Sequence, residues 1–353
     1  MYVLLSDLHL HKWSSFSVLT HQNLNSRLET IMNEVERAAE VVLESGGNLM
    51  LLGGDIFHVR GKISPEVLNP VLELFRRIVE SGVRVIGISG NHDLESNVAS
   101  DLSSAATALR SVGVEIFNKP TIFTNEEHKI ILVPYVDSIS DLKGVLKEEL
   151  APYHHSEYDL VIHAPVDGVI DGLPDHGLSP EFLGDLGFKR VFAGHYHNHK
   201  DFGNGVYSIG ATTHQTWSDV GTRSGFLLIG RDKEDVVYQA SHAPSFIDLD
   251  PETPKEDVMM IVDGNFVRVT MEIEKESQVA EMRDFLIKDC GAKGVIVNRI
   301  KKAATVSRTG ATASSGKSIS ASVGEYISSK EYKDKPNLVG LCERILSEAE
   351  VVE

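Results

Sequence analysis

Five short clusters in this 353-residue chain place metal-ligand side chains directly after apolar runs. Asp7-Leu8-His9 follows the run 2–6, and Gly53-Gly54-Asp55-Ile56-Phe57-His58 follows 49–52. Ser89-Gly90-Asn91-His92-Asp93 closes the run 83–88, His163 closes 160–162, and Gly194-His195-Tyr196-His197 follows 191–193. In extended backbone, residues i and i+2 point to the same side, so Asp7 with His9, and His195 with His197, can each face one ion. Asp7, His9, Asp55, Asn91, His163, His195 and His197 supply seven oxygen and nitrogen donors. One divalent ion takes about four to six ligands including water, so this set suits two ions sharing a bridging carboxylate. Mixed Asp, Asn and His without Cys favours manganese, iron or zinc over an all-oxygen magnesium site.

Two such ions would activate a water and stabilise charge on a phosphorane-like transition state, which is the chemistry of phosphate-ester hydrolysis. His92 has a separate role beside them, hydrogen bonding a phosphoryl oxygen or protonating the leaving oxygen. Asp93 is placed to orient its ring. Of the remaining histidines, His11, His21, His128, His154, His155 and His242 read as surface residues. His199 extends GHYH by another i+2 step, which makes a supporting role at the site its lesser reading, and His176 and His214, in loops that could reach the site, stay unassigned.

The elements that must carry these clusters alternate. Strands are expected at 2–6, 49–52 and 83–88, with helices over 27–45 (Ser26 and Glu29 forming a capping box) and after Pro65. That rhythm predicts parallel strands with helical crossovers, whose carboxyl ends open onto a shared crevice. Further strands are expected at 114–117, 121–124, 129–133, 160–163, 191–193, 206–209 and 225–229, with a helix around 139–150. Beyond these, 251–257 reads as a linker, 266–273, 278–288 and 294–299 as a small strand–helix–strand unit, and 303–322 as a flexible Ser, Thr, Ala and Gly stretch. Two amphipathic helices are expected around 323–328 and 338–349.

Composition bounds the function. The net charge of −17 opposes a surface that coats nucleic acid or anionic membrane, without excluding a local site. Two cysteines, Cys290 and Cys342, leave no disulfide framework to expect. No apolar run reaches a membrane span and the first residues lack a signal-peptide pattern, so a cytoplasmic protein without membrane contact is expected. One basic stretch stands out: Lys293, Arg299, Lys301, Lys302, Arg308 and Lys317 lie in 290–324 with no acid among them. It reads equally as a DNA-backbone contact or a solvated linker.

The ordered set DLH, GD with His58 three residues on, GNHD, an isolated His and GHYH resembles the calcineurin-like metallophosphoesterases over residues 1–230. The resemblance implies an α/β fold, a four-layer αββα sandwich. It implies one ion held by Asp7, His9, Asp55 and His197 and another by Asp55, Asn91, His163 and His195, with Asp55 bridging. Within that superfamily, GDIFH looks like the SbcD-type nuclease subunit of the double-strand-break repair complex, and the compact size is most like the bacteriophage members. By that resemblance His58 positions DNA and assists exonuclease action. The implied architecture is a nuclease domain over 1–250, a small α/β capping domain over 258–302, a linker over 303–322 and a helical segment over 323–353 that docks on the coiled coil of an SMC-like ATPase.

The expected function is therefore a dinuclear metal-dependent DNA exonuclease or endonuclease acting on double-strand ends in repair and recombination. Manganese is the first candidate metal, with Mg²⁺, Fe²⁺ or Zn²⁺ as alternatives. A homodimer is expected by resemblance, through helices around 65–80 and 101–112. The alternatives are a small-molecule phosphodiesterase or phosphatase on the same core, and a non-catalytic scaffold that binds DNA ends.

Overall fold

The computed structural model describes residues 1–301, 323, 326–330 and 334–349. Sheet one carries β1 (Tyr2–Leu5), β2 (Leu49–Leu52), β3 (Arg84–Ile88) and β4 (Glu115–Phe117), linked by helices α1 (Ser26–Glu44) and α2 (Pro65–Glu80) and a 3₁₀ segment, Ala105–Val112. Sheet two carries β5 (Thr121–Thr124), β6 (Lys129–Val133), β7 (Asp159–His163), β8 (Arg190–Gly194), β9 (Lys200–Gly203) and β10 (Val206–Ser208), with helices α3 (Ile139–Gly144) and α4 (Pro180–Asp185). The chain then returns to sheet one with β11 (Gly225–Ile229) and β12 (Val236–Ala240), giving the orders β12-β11-β1-β2-β3-β4 and β5-β6-β7-β8-β10-β9. β1, β2, β3 and β4 are mutually parallel, as are β6, β7 and β8.

Period-two alternation explains why these strands read as continuous apolar runs. Val3, Leu5, Met50 and Leu52 point at α1 and α2, in a core with Leu28, Val35, Val71 and Phe75. Their neighbours Tyr2, Leu4, Leu49 and Leu51 point the other way, against Ile130, Leu132, Val161 and Phe192 of sheet two. Leu160, Ile162 and Val191 leave the far side of sheet two and pack with Leu142 and Leu183 of α3 and α4. Three stacked cores make four layers, α-β-β-α, as expected. Each fully buried Leu or Val contributes about 1.5–3 kcal/mol, so the strand ends rest on a rigid base.

A third, parallel sheet follows: β13 (Phe246–Leu249), β14 (Phe266–Ile273) and β15 (Gly294–Lys301), with helices α5 (Lys255–Val262) and α6 (Ser277–Asp284). It has its own apolar core of Leu249, Val258, Val262, Val267, Val269, Leu286 and Val295. By internal contacts Met1–Lys301 is one compact unit and Lys302–Glu353 a second, in which the last helix, α7, spans Lys335–Ala349. The expected linker 303–322, with Arg308 and Lys317, lies outside the described residues. No helix among the described residues is long and apolar enough to cross a membrane.

Local chemistry departs from expectation in a few places. Asn25, not Ser26, caps α1: its Oδ1 accepts from the amides of Arg27 and Leu28, both at 3.1 Å. The Ser26 hydroxyl accepts from Val18 N at 3.0 Å instead. The stretch 251–257 is a turn that runs into α5, and α3 gives way to a π turn over Val145–Glu149. Strand β9 buries no residue fully, and β12 and β13 alternate weakly, which hid all three from the pattern.

Candidate metal centre

All five clusters meet at the carboxyl ends of β1, β2, β3, β7 and β8. Backbone bonds lace the first two loops together: Asp7 N donates to Gly54 O (3.1 Å) and His9 N to Asp55 O (2.9 Å). Side chains tie in the others. His92 N donates to Asp55 Oδ1 (2.8 Å) and His195 N to Asp7 Oδ2 (3.0 Å). The loops approach so closely that a Cβ on Gly90 would lie 2.2 Å from Asp55 Oδ1, which is why glycine precedes Asn91. Asp7, His9, Asp55 and His195 hold left-handed φ values of 50°, 45°, 50° and 109°. Each costs about 1–3 kcal/mol, and such strain gathers where function fixes a side chain's direction.

The seven candidate ligands form two adjoining groups. In one, His9 Nε2 and His197 Nε2 are 3.1 Å apart, with Asp7 Oδ1 at 4.0 Å and Asp55 Oδ2 at 3.7 Å from His9 Nε2. In the other, His163 Nε2 lies 3.1 Å from Asn91 Oδ1 and 3.4 Å from Asp55 Oδ1, and His195 Nδ1 lies 3.0 Å from Asn91 Oδ1. Asp55 turns one oxygen to each group. The ligand atoms of Asp7, His9 and His197 lie within 4.8 Å of one another, as do those of Asp7, Asp55 and His163.

Two features show that this donor set fits a cation. Asp7 Oδ1 is buried without any hydrogen-bond partner, a costly state for a carboxylate oxygen that a positive ion would relieve. Burial also drives His9 well below the ordinary imidazole range and His195 down to about 3, so both rings offer lone pairs at neutral pH. For His163, burial opposes protonation, but the charges of Asp55 and Asp7 outweigh it and push the ring up to about 9. A bound cation would supply the positive charge that this proton otherwise provides.

Partners behind the ligands aim them. His163 Nδ1 donates to Gly53 O (2.8 Å), which leaves Nε2 free to face Asn91 and Asp55. His197 Nδ1 pairs with Asp219 Oδ1 at 2.7 Å, the carboxylate–imidazole arrangement that fixes a metal-binding tautomer. Burial would raise the Asp219 carboxyl, but His197 and the amides of Thr216 and Gln215 hold it below the usual carboxylate range. Sequence reasoning missed Asp219, although Thr216 and Asp219 have capping-box spacing and form one.

His92 Nδ1 is bonded to the His58 carbonyl at 2.8 Å, and its ring stacks on His58 with centroids 5.4 Å apart. Asp93 does not orient His92, contrary to expectation. Its carboxylate turns inward and accepts from the amides of Phe57 (2.9 Å), Gly90 (2.9 Å) and Ile56 (3.2 Å), locking the Asp55 loop to the Asn91 loop. His58 reaches the cluster by another route: its Nδ1 is 3.4 Å from His9 Nδ1, and Trp13 packs on its ring at 4.4 Å. His199 turns away, with Nδ1 on Ser208 O (2.9 Å) and its ring stacked on Tyr238. His128 is buried rather than exposed, and His214 is buried within its loop, where its Nδ1 accepts from Phe246 N at 3.0 Å.

The calcineurin-like phosphoesterase family model matches residues 2–199, a span that holds all seven candidate ligands and ends just past His197. The chain is 26% identical over 209 residues to exonuclease subunit 1 of Enterobacteria phage T4, covering 58% of this chain and 59% of that one. It is 36% identical over 73 residues to the DNA double-strand break repair protein Mre11 of Methanopyrus kandleri, covering 20% of this chain and 16% of that one. With Mre11 of Nanoarchaeum equitans it shares 30% over 93 residues, 26% of this chain and 24% of the relative. The chain thus spans about three fifths of the phage relative and less of the archaeal ones. With the family model covering more than half its length, and the matched motifs gathered at one sheet end, the chain belongs to the calcineurin-like phosphoesterases.

Proposed function

We propose that this protein is a dinuclear metal-dependent nuclease that hydrolyses phosphodiester bonds at DNA double-strand ends. The observation that carries the proposal is the pair of donor groups joined through Asp55, one of whose flanking carboxylates, Asp7, has a buried oxygen without a partner. Asp7, His9, Asp55 and His197 would hold one cation, and Asp55, Asn91, His163 and His195 the other, manganese being the first candidate. Two divalent cations at such a site supply a water activated for attack and neutralise charge on the phosphate.

The chain's own groups do the rest. His92, braced through Nδ1 by the His58 carbonyl, donates a hydrogen bond to the phosphoryl oxygen or a proton to the leaving oxygen. His58 places the substrate beside it, and Asp93 braces the loops beneath. The relatives support DNA as the substrate, being an exonuclease subunit and two double-strand break repair proteins. The reading extends to a homodimer in the cytoplasm and to an SMC-like ATPase partner bound by the segment 323–353. It also takes 1–250 as the nuclease domain and 258–302 as its cap. A chain of net charge −17 needs a partner that holds DNA, because alone it binds the polyanion weakly and with strong salt dependence.

The test is digestion of a linear duplex with Mn²⁺ or Mg²⁺, with and without the ATPase, comparing wild type with Asp55→Asn. Metal-dependent cleavage by the wild type alone or with its partner, lost in Asp55→Asn, is the expected result. No cleavage in any arm sinks the nuclease reading. Turnover of a small chromogenic phosphodiester without DNA cleavage would favour the phosphatase alternative.

A further inference from the structure

Arg27 carries three costs at once. Its side chain is buried, at 6% exposure. It stands in the first turn of α1, where a cation opposes the helix dipole. Among the described residues no carboxylate lies within ion-pair distance of it, and burial pulls the guanidinium down to about 10 against the opposing charge of Asp219. A buried cation without a carboxylate partner is costly, so its retention must be offset by what the side chain holds.

What Arg27 does hold is one loop. Its Nη2 donates to His214 O (3.0 Å) and Gln215 O (2.8 Å). From Gln215 two routes lead to the candidate metal centre. The Gln215 amide donates to Asp219 Oδ2 (2.6 Å), whose other oxygen fixes His197 Nδ1. The Gln215 side-chain Nε2 donates to Leu8 O (3.2 Å), the carbonyl between Asp7 and His9. On its faces the guanidinium meets Trp13, which packs on His58, and Phe246 and Phe266 of the third sheet at 5.0 and 5.4 Å. Phe246 returns to the same loop through its amide on His214 Nδ1.

We infer that Arg27 is a positioning residue that sets the geometry of His197 and of the Asp7–His9 loop and couples both to the third sheet. The inference rests on the metal-centre reading above. A guanidinium whose Nη2 bonds two successive carbonyls while three aromatic rings pack against it has little freedom to move, so loop 214–219 keeps one shape. Movement of the third sheet, through Phe246 and Phe266, would therefore reach His197 without touching it.

The test is Mn²⁺ binding by calorimetry on the full chain, alongside the metal-free unfolding midpoint. Variants are Arg27→Met, Arg27→Lys and Phe266→Leu, with Val295→Ala, in the third sheet's own core, as the control. Arg27→Met should bind Mn²⁺ about 10–100-fold more weakly, the usual loss for a support behind a metal ligand. Arg27→Lys should restore it only in part, since an ammonium can reach the two carbonyls but has no planar face to lie against the three rings. Val295→Ala should lower the unfolding midpoint yet keep wild-type affinity. Should Arg27→Met fail to fold, Phe266→Leu decides: it removes one aromatic face and should show a smaller loss of the same kind. Wild-type affinity in Arg27→Met, or in Phe266→Leu where that variant decides, overturns the inference alone. No Mn²⁺ binding by the wild type overturns the metal centre and this inference with it.

Discussion

Replacing Asp219 by Asn should reverse a proton on His197. In the wild type Asp219 Oδ1 faces His197 Nδ1 at 2.7 Å, while Oδ2 accepts from Gln215 N (2.6 Å) and Thr216 N (2.9 Å). A carboxylate only accepts, so Nδ1 carries the hydrogen and Nε2, 3.1 Å from His9 Nε2, is the nitrogen left to bind a cation. An Asn side chain has one accepting oxygen. With that oxygen in the Oδ2 position both buried backbone bonds survive; in the other orientation both amides face an NH₂ group. At about 1 kcal/mol for each bond, and 1–3 kcal/mol for a stranded buried donor, the first orientation wins by at least about 2 kcal/mol. The Asn NH₂ group then donates to Nδ1, and the ring's own hydrogen moves to Nε2, the nitrogen that must be bare to bind a cation.

Mn²⁺ affinity in Asp219→Asn should fall about 10–100-fold, roughly 1.4–2.7 kcal/mol, with little change in the metal-free unfolding midpoint. Asp219→Ala should show the opposite pattern. It leaves His197 free to take either tautomer but strands two buried amides, so stability drops by about 2 kcal/mol or more while affinity suffers less. Calorimetry with Mn²⁺ and urea unfolding of both variants separate the two effects. Wild-type affinity in the Asn variant, or a larger affinity loss in the Ala variant, refutes the tautomer argument.

His92→Gln should keep Mn²⁺ binding while DNA cleavage falls about 10²–10⁴-fold; equal losses of both would make His92 a ligand instead. Arg190→Met breaks a buried pair in which Asp159 accepts two bonds of 2.7 Å from the guanidinium and one of 2.7 Å from Tyr2. It should cost about 3–5 kcal/mol in urea unfolding without changing Mn²⁺ affinity. His214 is held below the ordinary imidazole range by burial, and its two nitrogens are committed as acceptor from Phe246 N and donor to Thr222 O. Because the unfolded chain then takes up a proton before the fold does, stability should fall as pH drops below about 6.5, by up to about 1.4 kcal/mol per pH unit. His214→Gln should flatten that slope, and an unchanged slope in urea titrations would remove His214 as its source.

The loops that carry the candidate ligands were legible because the fold leaves them little choice. A strand buried on both faces is an unbroken apolar run, so the polar residue that ends it stands out, as Asp7 does after Leu5 and Ser6. What sets the ligands' orientation was not legible, because it acts across long sequence separations. Asp219 reaches His197 across a loop, and Arg27 reaches Gln215 from the far end of the domain, with a separation of 188 residues. Asp93 shows the converse hazard: adjacency to His92 suggested a partnership, but consecutive side chains in a tight loop diverge, and three nearby amides claimed the carboxylate. The third sheet's first strand, β13, failed for another reason, since Ile247 and Asp248 break the alternation on a partly exposed edge.

Strain, charge and support at this site fall on different parts of the fold, and that division explains how it holds together. Four ligand-bearing residues with left-handed φ cost on the order of 4–12 kcal/mol together, comparable to the net stability of a whole domain. Loops alone could not sustain that. Here each strained residue sits at most four positions from a strand whose side chains fill the two cores on either side of its sheet, so relaxing the backbone would require sliding a close-packed strand. The buried negative charge of Asp7 and Asp55 is a separate burden that packing cannot relieve, and the proposed cations would relieve it. His163, pushed up to about 9 by Asp55 and Asp7 against the effect of its burial, carries a proton at neutral pH without metal, and cation binding at the proposed site should release it. Proton release on Mn²⁺ addition, read from the buffer dependence of the binding enthalpy, is the direct consequence; binding with no buffer dependence would mean that the carboxylates are neutralised in some other way.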